Sequence, residues 1–231
     1  MIFRQLFDSV SGTYTYLVAS RHGGEALLID PVLDRVDQYL QLVGELNLKL
    51  VVAADTHIHA DHITGLGELR ERAGCSTIMG EYSKANCVSL RIKEGEFINL
   101  DGIKLQGIYT PGHTDDSFSF LMPDRVFSGD TLLIRGTGRT DFQGGDPYMQ
   151  YDSLFNKLLK LPKETLVYPA HDYKGWTVST IGEEIAYNPR LQVHSPEQYA
   201  EIMNNLYLPD PVLMDVAVLA NLACGRTVAQ A

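Results

Sequence analysis

Apolar and polar positions alternate through the first thirty residues and then change period. Residues 2–7, 13–19 and 26–30 read as three strands, parted by Ser-Gly and His-Gly-Gly turns. Pro31 closes the third. Asp34 stands where a side chain can cap a helix reaching about residue 46, with Val36, Leu40 and Val43 on one face. Residues 50–54, Leu-Val-Val-Ala-Ala, return to a buried strand. Helical spacing resumes after Asp61, with Ile63, Leu66 and Leu69 in phase and Gly74 as a stop. From 76 to 129 short apolar runs at 77–79, 96–100, 104–109, 117–121 and 125–127 predict strands, divided by Asp-Gly, Pro-Gly and Pro-Asp turns. A helix over 151–161 buries Leu154, Leu158 and Leu161, a strand follows at 165–168, and the chain from about 178 is mainly helical. Without a repeat or a Gly/Ser/Pro-rich linker, one α/β domain spanning 1–231 is the economical organisation.

Composition narrows the function. A 45% hydrophobic chain of 231 residues can bury a substantial core. A net charge of −10 with no basic run argues against nucleic acid or an anionic membrane surface as partner. No stretch approaches the length of a membrane span, and residues 1–8 lack a signal-peptide pattern. The three cysteines, Cys75, Cys87 and Cys224, form no CxxC pair and no disulfide framework, so they read as buried, inert thiols of a reducing compartment. The expected location is the bacterial cytoplasm, or the mitochondrial matrix after loss of a presequence.

The chemistry concentrates just past predicted strands. Three histidines and an aspartate lie within Thr56-His57-Ile58-His59-Ala60-Asp61-His62, and imidazoles with carboxylates are the usual ligands of zinc, iron and manganese. His113 follows a Pro-Gly turn, Asp130 a Ser-Gly pair, and His171 the segment Val167-Tyr168-Pro169-Ala170. Strand ends are rigid yet face an open edge, which suits a metal site. His22 and His194 lack that setting and read as surface residues.

The series H-x-H-x-D-H, a His after Pro-Gly, Gly-Asp-Thr and a final His resembles the metallo-β-lactamase superfamily over nearly the whole chain. The resemblance implies an α/β fold, a four-layer αββα sandwich with metal between its sheets. In dinuclear members, residues matching His57, His59 and His113 hold one ion, those matching Asp61, His62 and His171 hold the other, and the match of Asp130 bridges. The segments around His57, Gly138-Arg139-Thr140-Asp141-Phe142-Gln143 and Tyr168 to Gly175 closely resemble the persulfide dioxygenases. So do Asn188-Pro189-Arg190-Leu191 and Ile202 to Leu206. Thr137 departs from them, standing where many relatives have Cys.

That narrower resemblance implies one Fe(II) per chain held by His57, His113 and Asp130, with glutathione persulfide and O2 as substrates and sulfite and glutathione as products. Three protein ligands leave positions for substrate sulfur and oxygen. His59, Asp61, His62 and His171 then support the site, and Asp172 positions its neighbours. Arg139 and Tyr173 match positions that meet glutathione, while Arg190 reads equally as a substrate contact or a helix-capping or salt-bridge residue. Trp176 is expected in the core, and a homodimer is expected by analogy. Two rival readings remain: a dinuclear thioester hydrolase of the glyoxalase II type, and a non-catalytic metal-binding scaffold.

Overall fold

In the computed structural model, which describes residues 1–211 and 213–226, two six-stranded sheets face each other. The first runs β1 (Ile2–Asp8), β2 (Thr13–Ala19), β3 (Glu25–Ile29), β4 (Lys49–Ala54), β5 (Ser76–Gly80) and β6 (Leu90–Ile92), side by side in that order. It begins antiparallel and turns parallel from β3 onward. The second contains β7 (Phe97–Leu100), β8 (Ile103–Tyr109), β9 (Phe118–Met122), β10 (Arg125–Gly129), β11 (Leu166–Pro169) and β12 (Ser179–Thr180).

Alternation of side chains lets each strand serve two layers. Along β2, Tyr14, Tyr16 and Val18 point into the core between the sheets, where they meet Leu27, Ile29, Phe118, Phe120 and Phe127. Leu17 and Ala19 point outward, under α1 (Val36–Glu45) and α2 (Leu66–Ala73). The far face of the second sheet is covered by α3 (Pro147–Asp152) and the turn after it, α4 (Ile181–Tyr187) and α5 (Pro196–Asn204), through Tyr151, Leu154, Ile181, Tyr199 and Met203. The layers are αββα, as the resemblance implied.

Several boundaries differ for local reasons. No side chain caps α1; a 3-10 turn at Leu33–Arg35 precedes it and contains Asp34. The helix expected at 151 starts at Pro147, because Asp146 accepts the amides of Tyr148 and Met149 and Pro suits a first helical position. It then loosens through a π turn at Ser153–Lys157. Strands β6 and β12, of three and two residues, carry too little pattern to be read from sequence.

The cysteine expectation needs correcting. Cys87 and Cys224 form a disulfide across 137 residues, and only Cys75 is an unpaired buried thiol, which burial pushes up to about 11. Pairings over such separations cannot be read from spacing. The bond ties the turn after α6 (Met214–Leu222) to the loop between β5 and β6. Trp176 is not core either: it is 47% exposed, with Arg135 above its ring.

Candidate metal centre

Four loops bring the sequence-predicted cluster together. The chain leaves β4 into His57–His62, β8 into His113, β10 into Asp130 and β11 into His171. Two glycines permit the close approaches. Gly112 sits at φ +130°, and a Cβ there would lie 2.3 Å from the Gln150 backbone. A Cβ on Gly138 would lie 2.7 Å from His113 Nδ1.

His57, His113 and Asp130, all buried, place donor atoms within 4.8 Å of one another. His113 Nδ1 lies 2.7 Å from the Arg139 carbonyl, so it carries the hydrogen and Nε2 keeps the lone pair. That Nε2 stands 3.6 Å from Asp130 Oδ2. At His57 a relay does the same. Thr56 gives its hydroxyl hydrogen to Asp30 at 3.1 Å, and so accepts from His57 Nδ1 at 2.9 Å, leaving Nε2 as the donor atom. Two nitrogens and a carboxylate with their hydrogens turned away suit a divalent ion.

His59, Asp61, His62 and His171 form a second group, again with donor atoms within 4.8 Å. Here the side chains bond to each other. Asp61 Oδ2 lies 2.8 Å from both His62 Nδ1 and His171 Nε2, and His171 Nδ1 lies 2.7 Å from Asp130 Oδ1. Burial alone would raise both carboxyls, but the nearby histidines outweigh it and hold Asp130 and Asp61 well below the usual carboxylate range. Burial opposes protonation of His171, yet Asp130 and Asp61 on its two nitrogens hold its pKa well above the ordinary histidine value. His59 Nδ1 and His62 Nε2 are buried without a hydrogen-bond partner, the condition of nitrogens able to meet an ion or water.

Beneath lie groups that sequence reasoning missed. Asp30 accepts from the Thr56 amide at 2.7 Å and lies 3.2 Å from His59 Nε2; burial pushes its carboxyl up to about 6. Its signal was faint: an aspartate at a strand end before Pro31. Asn221 of α6, 2% exposed, donates to the His59 and His62 carbonyls and accepts from the Thr64 amide, at 2.8–2.9 Å. Nothing in a helical C-terminus marks it.

A cavity of about 390 Å³ opens beside Asp130, His113 and His171. Its wall carries Arg135, Arg139, Lys174 and Arg190. Arg139 is gripped by Asp141 through two 2.6 Å bonds, and Arg135 is paired with Glu183 and Glu184. Arg190 and Lys174 form no ion pair among the described residues. Arg190 donates to the Thr137 carbonyl and hydroxyl, and Tyr199 also bonds that hydroxyl at 3.0 Å. Asp172 accepts the amides of Lys174 and Trp176 at 2.8 Å, shaping the turn that presents Tyr173 stacked 6.1 Å from His171. His22 and His194 are exposed.

Residues 9–87 and 88–171 match the metallo-beta-lactamase superfamily model. The chain is 47% identical to the mitochondrial persulfide dioxygenase ETHE1 of Mus musculus, over 97% of this chain and 89% of that one. The crystal structure of ETHE1 from Myxococcus xanthus superposes with a TM-score of 0.95 at 53% identity, covering 98% of this chain and all of that one. A hydroxyacylglutathione hydrolase of Idiomarina loihiensis is 29% identical over 91% of this chain and 82% of its own.

Proposed function

Given that this chain belongs to the metallo-beta-lactamase superfamily and, within it, to the persulfide dioxygenases, we propose that it holds one Fe(II) through His57, His113 and Asp130. The reaction is oxidation of glutathione persulfide by O2: persulfide, dioxygen and water give glutathione, sulfite and two protons. The observation that carries this reading is a two-His, one-carboxylate cluster whose His113 and Asp130 line a cavity that also presents Arg190, a guanidinium without an ion pair among the described residues. A ferrous ion in such a site would supply open coordination positions and, unlike zinc, redox chemistry with dioxygen.

The protein's own residues supply the rest. Arg190 and Lys174 meet the carboxylates of glutathione, local positive charge on a chain of net charge −10. Arg139 contributes mainly through its carbonyl, which orients His113, since its guanidinium is already neutralised by Asp141. Tyr173, 72% exposed at the cavity edge, covers the substrate. His171, between Asp130 and Asp61, fixes the ligand carboxylate and holds a proton beside it. His59 and His62 complete the polar surround, with Asp172 holding the Tyr173 turn.

We also infer one domain over 1–231, a homodimer for which the exposed apolar Val216 and Leu219 of α6 and Leu213 just before it speak, and, by likeness to the mitochondrial relative, a bacterial cytoplasmic or mitochondrial matrix location. No described helix is long and apolar enough to cross a membrane.

The two unpartnered nitrogens, His59 Nδ1 and His62 Nε2, favour a second reading, a dinuclear hydrolase. Iron-loaded protein should form sulfite from glutathione persulfide and leave a glutathione thioester intact. Thioester hydrolysis without sulfite would establish the hydrolase instead.

A further inference from the structure

The seven metal-superfamily positions are all present, so something other than ligand identity must set how many ions bind. The two groups differ in spacing. In the first, His113 Nε2 and Asp130 Oδ2 stand 3.6 Å apart. That gap is too long for a hydrogen bond, so neither atom is committed to the other and both can turn to a shared metal. In the second, Asp61 Oδ2 lies only 2.8 Å from His62 Nδ1 and 2.8 Å from His171 Nε2. Those are hydrogen-bond lengths.

A residue outside every sequence motif closes the second group. The Thr13 hydroxyl lies 3.1 Å from Asp61 Oδ2, 3.1 Å from His62 Nδ1 and 3.1 Å from His171 Nε2. It is fully buried at the start of β2 and cannot swing aside. Its neighbours are pinned to the loop bearing His171: the Tyr14 amide donates to the Ala170 carbonyl at 2.7 Å, and the Asp172 amide to Gly12 at 3.1 Å. A β-branched side chain is stiff at χ1. Ser11 Oγ, itself bonded to Asp8, stands 2.6 Å from the Thr13 hydroxyl.

We propose that the Thr13 hydroxyl locks Asp61, His62 and His171 into a closed hydrogen-bonded group and thereby limits the chain to one tightly held metal ion. This inference rests on the one-metal reading above and names the residue that enforces it. A second ion would have to break the Asp61–His171 bond and displace the hydroxyl; of the three side chains, only His62 keeps an unpartnered nitrogen. Thr13 is a positioning residue, acting through the groups it holds.

Cobalt(II) serves as the probe. Metal-free protein is titrated anaerobically, ions per chain are counted after gel filtration, and pairing of the two ions is read from loss of the cobalt EPR signal. Wild type and Thr13→Ser, which keeps the hydroxyl, should each retain one ion. Thr13→Ala should retain two, with the spin-coupled signature of neighbouring ions. Should Thr13→Ala fail to fold, Ser11→Ala removes the neighbour that orients the hydroxyl, and the second cobalt should bind about 10-fold more tightly than in wild type. A folded variant whose second-site affinity matches wild type overturns the role of Thr13. Two tightly held ions in wild type overturn the one-metal reading itself, and the inference with it.

Discussion

His57 owes its donor atom to residues outside the histidine motif. Asp30 takes the Thr56 hydrogen, Thr56 takes the His57 Nδ1 hydrogen, and Nε2 is left facing the cluster. Thr56→Val breaks that relay, and Fe(II) affinity should fall about 10- to 100-fold in a chelator competition; unaltered affinity would remove Asp30 and Thr56 from the account. The arginines divide in the same atom-by-atom way. Losing a charge-assisted hydrogen bond costs about 1.5–3 kcal/mol, so Arg190→Ala should raise KM for glutathione persulfide about 10- to 100-fold with iron retained. Arg139→Ala keeps the carbonyl that orients His113 and should retain iron too, with a smaller rise in KM. If the larger effect falls on Arg139, Asp141 releases it for substrate. The histidines and Asp130 were legible because each follows a strand signal. Thr13 and Asp30 were not, because their importance comes from which side chains converge on them.

Among elements, α6 does more than close the chain. Its Asn221 satisfies two carbonyls and one amide of the 59–64 segment, and Cys224 O accepts from the Gly67 amide at 3.0 Å. Asn221→Ala leaves those buried groups unpaired, a loss of about 1–3 kcal/mol, which should appear as faster amide exchange through the segment. Protection equal to wild type would mean that the loop stands without the helix. The Cys87–Cys224 bond should add about 2–4 kcal/mol, read as the fall in unfolding free energy of Cys87→Ser in urea. Most strands were legible from period-two patterning. The helix at Pro147 began early because the Asp146 cap outweighed the apolar spacing downstream, and β12 is held by pairing with β11 rather than by its own pattern.

At the scale of the whole molecule, two sheets deliver ligand loops from one edge each: β4 from the first sheet, and β8, β10 and β11 from the second. The site is therefore as rigid as the apolar core between them, where Tyr16, Phe118 and Phe127 are essentially fully buried. The αββα layering was legible only through the family resemblance that the motifs carry; the residue pattern itself gave strand ends and one α/β domain. The cavity and its charge balance could not, because they depend on which arginines find carboxylates once the chain has folded. The central claim is that this edge performs oxygen-dependent sulfur oxidation. The most direct measurement is oxygen consumption by anaerobically iron-loaded protein given glutathione persulfide, with sulfite assayed in the same sample. One O2 should be consumed for each sulfite formed, and none with Asp130→Ala. Undiminished persulfide and no oxygen uptake by fully iron-loaded wild type would contradict it.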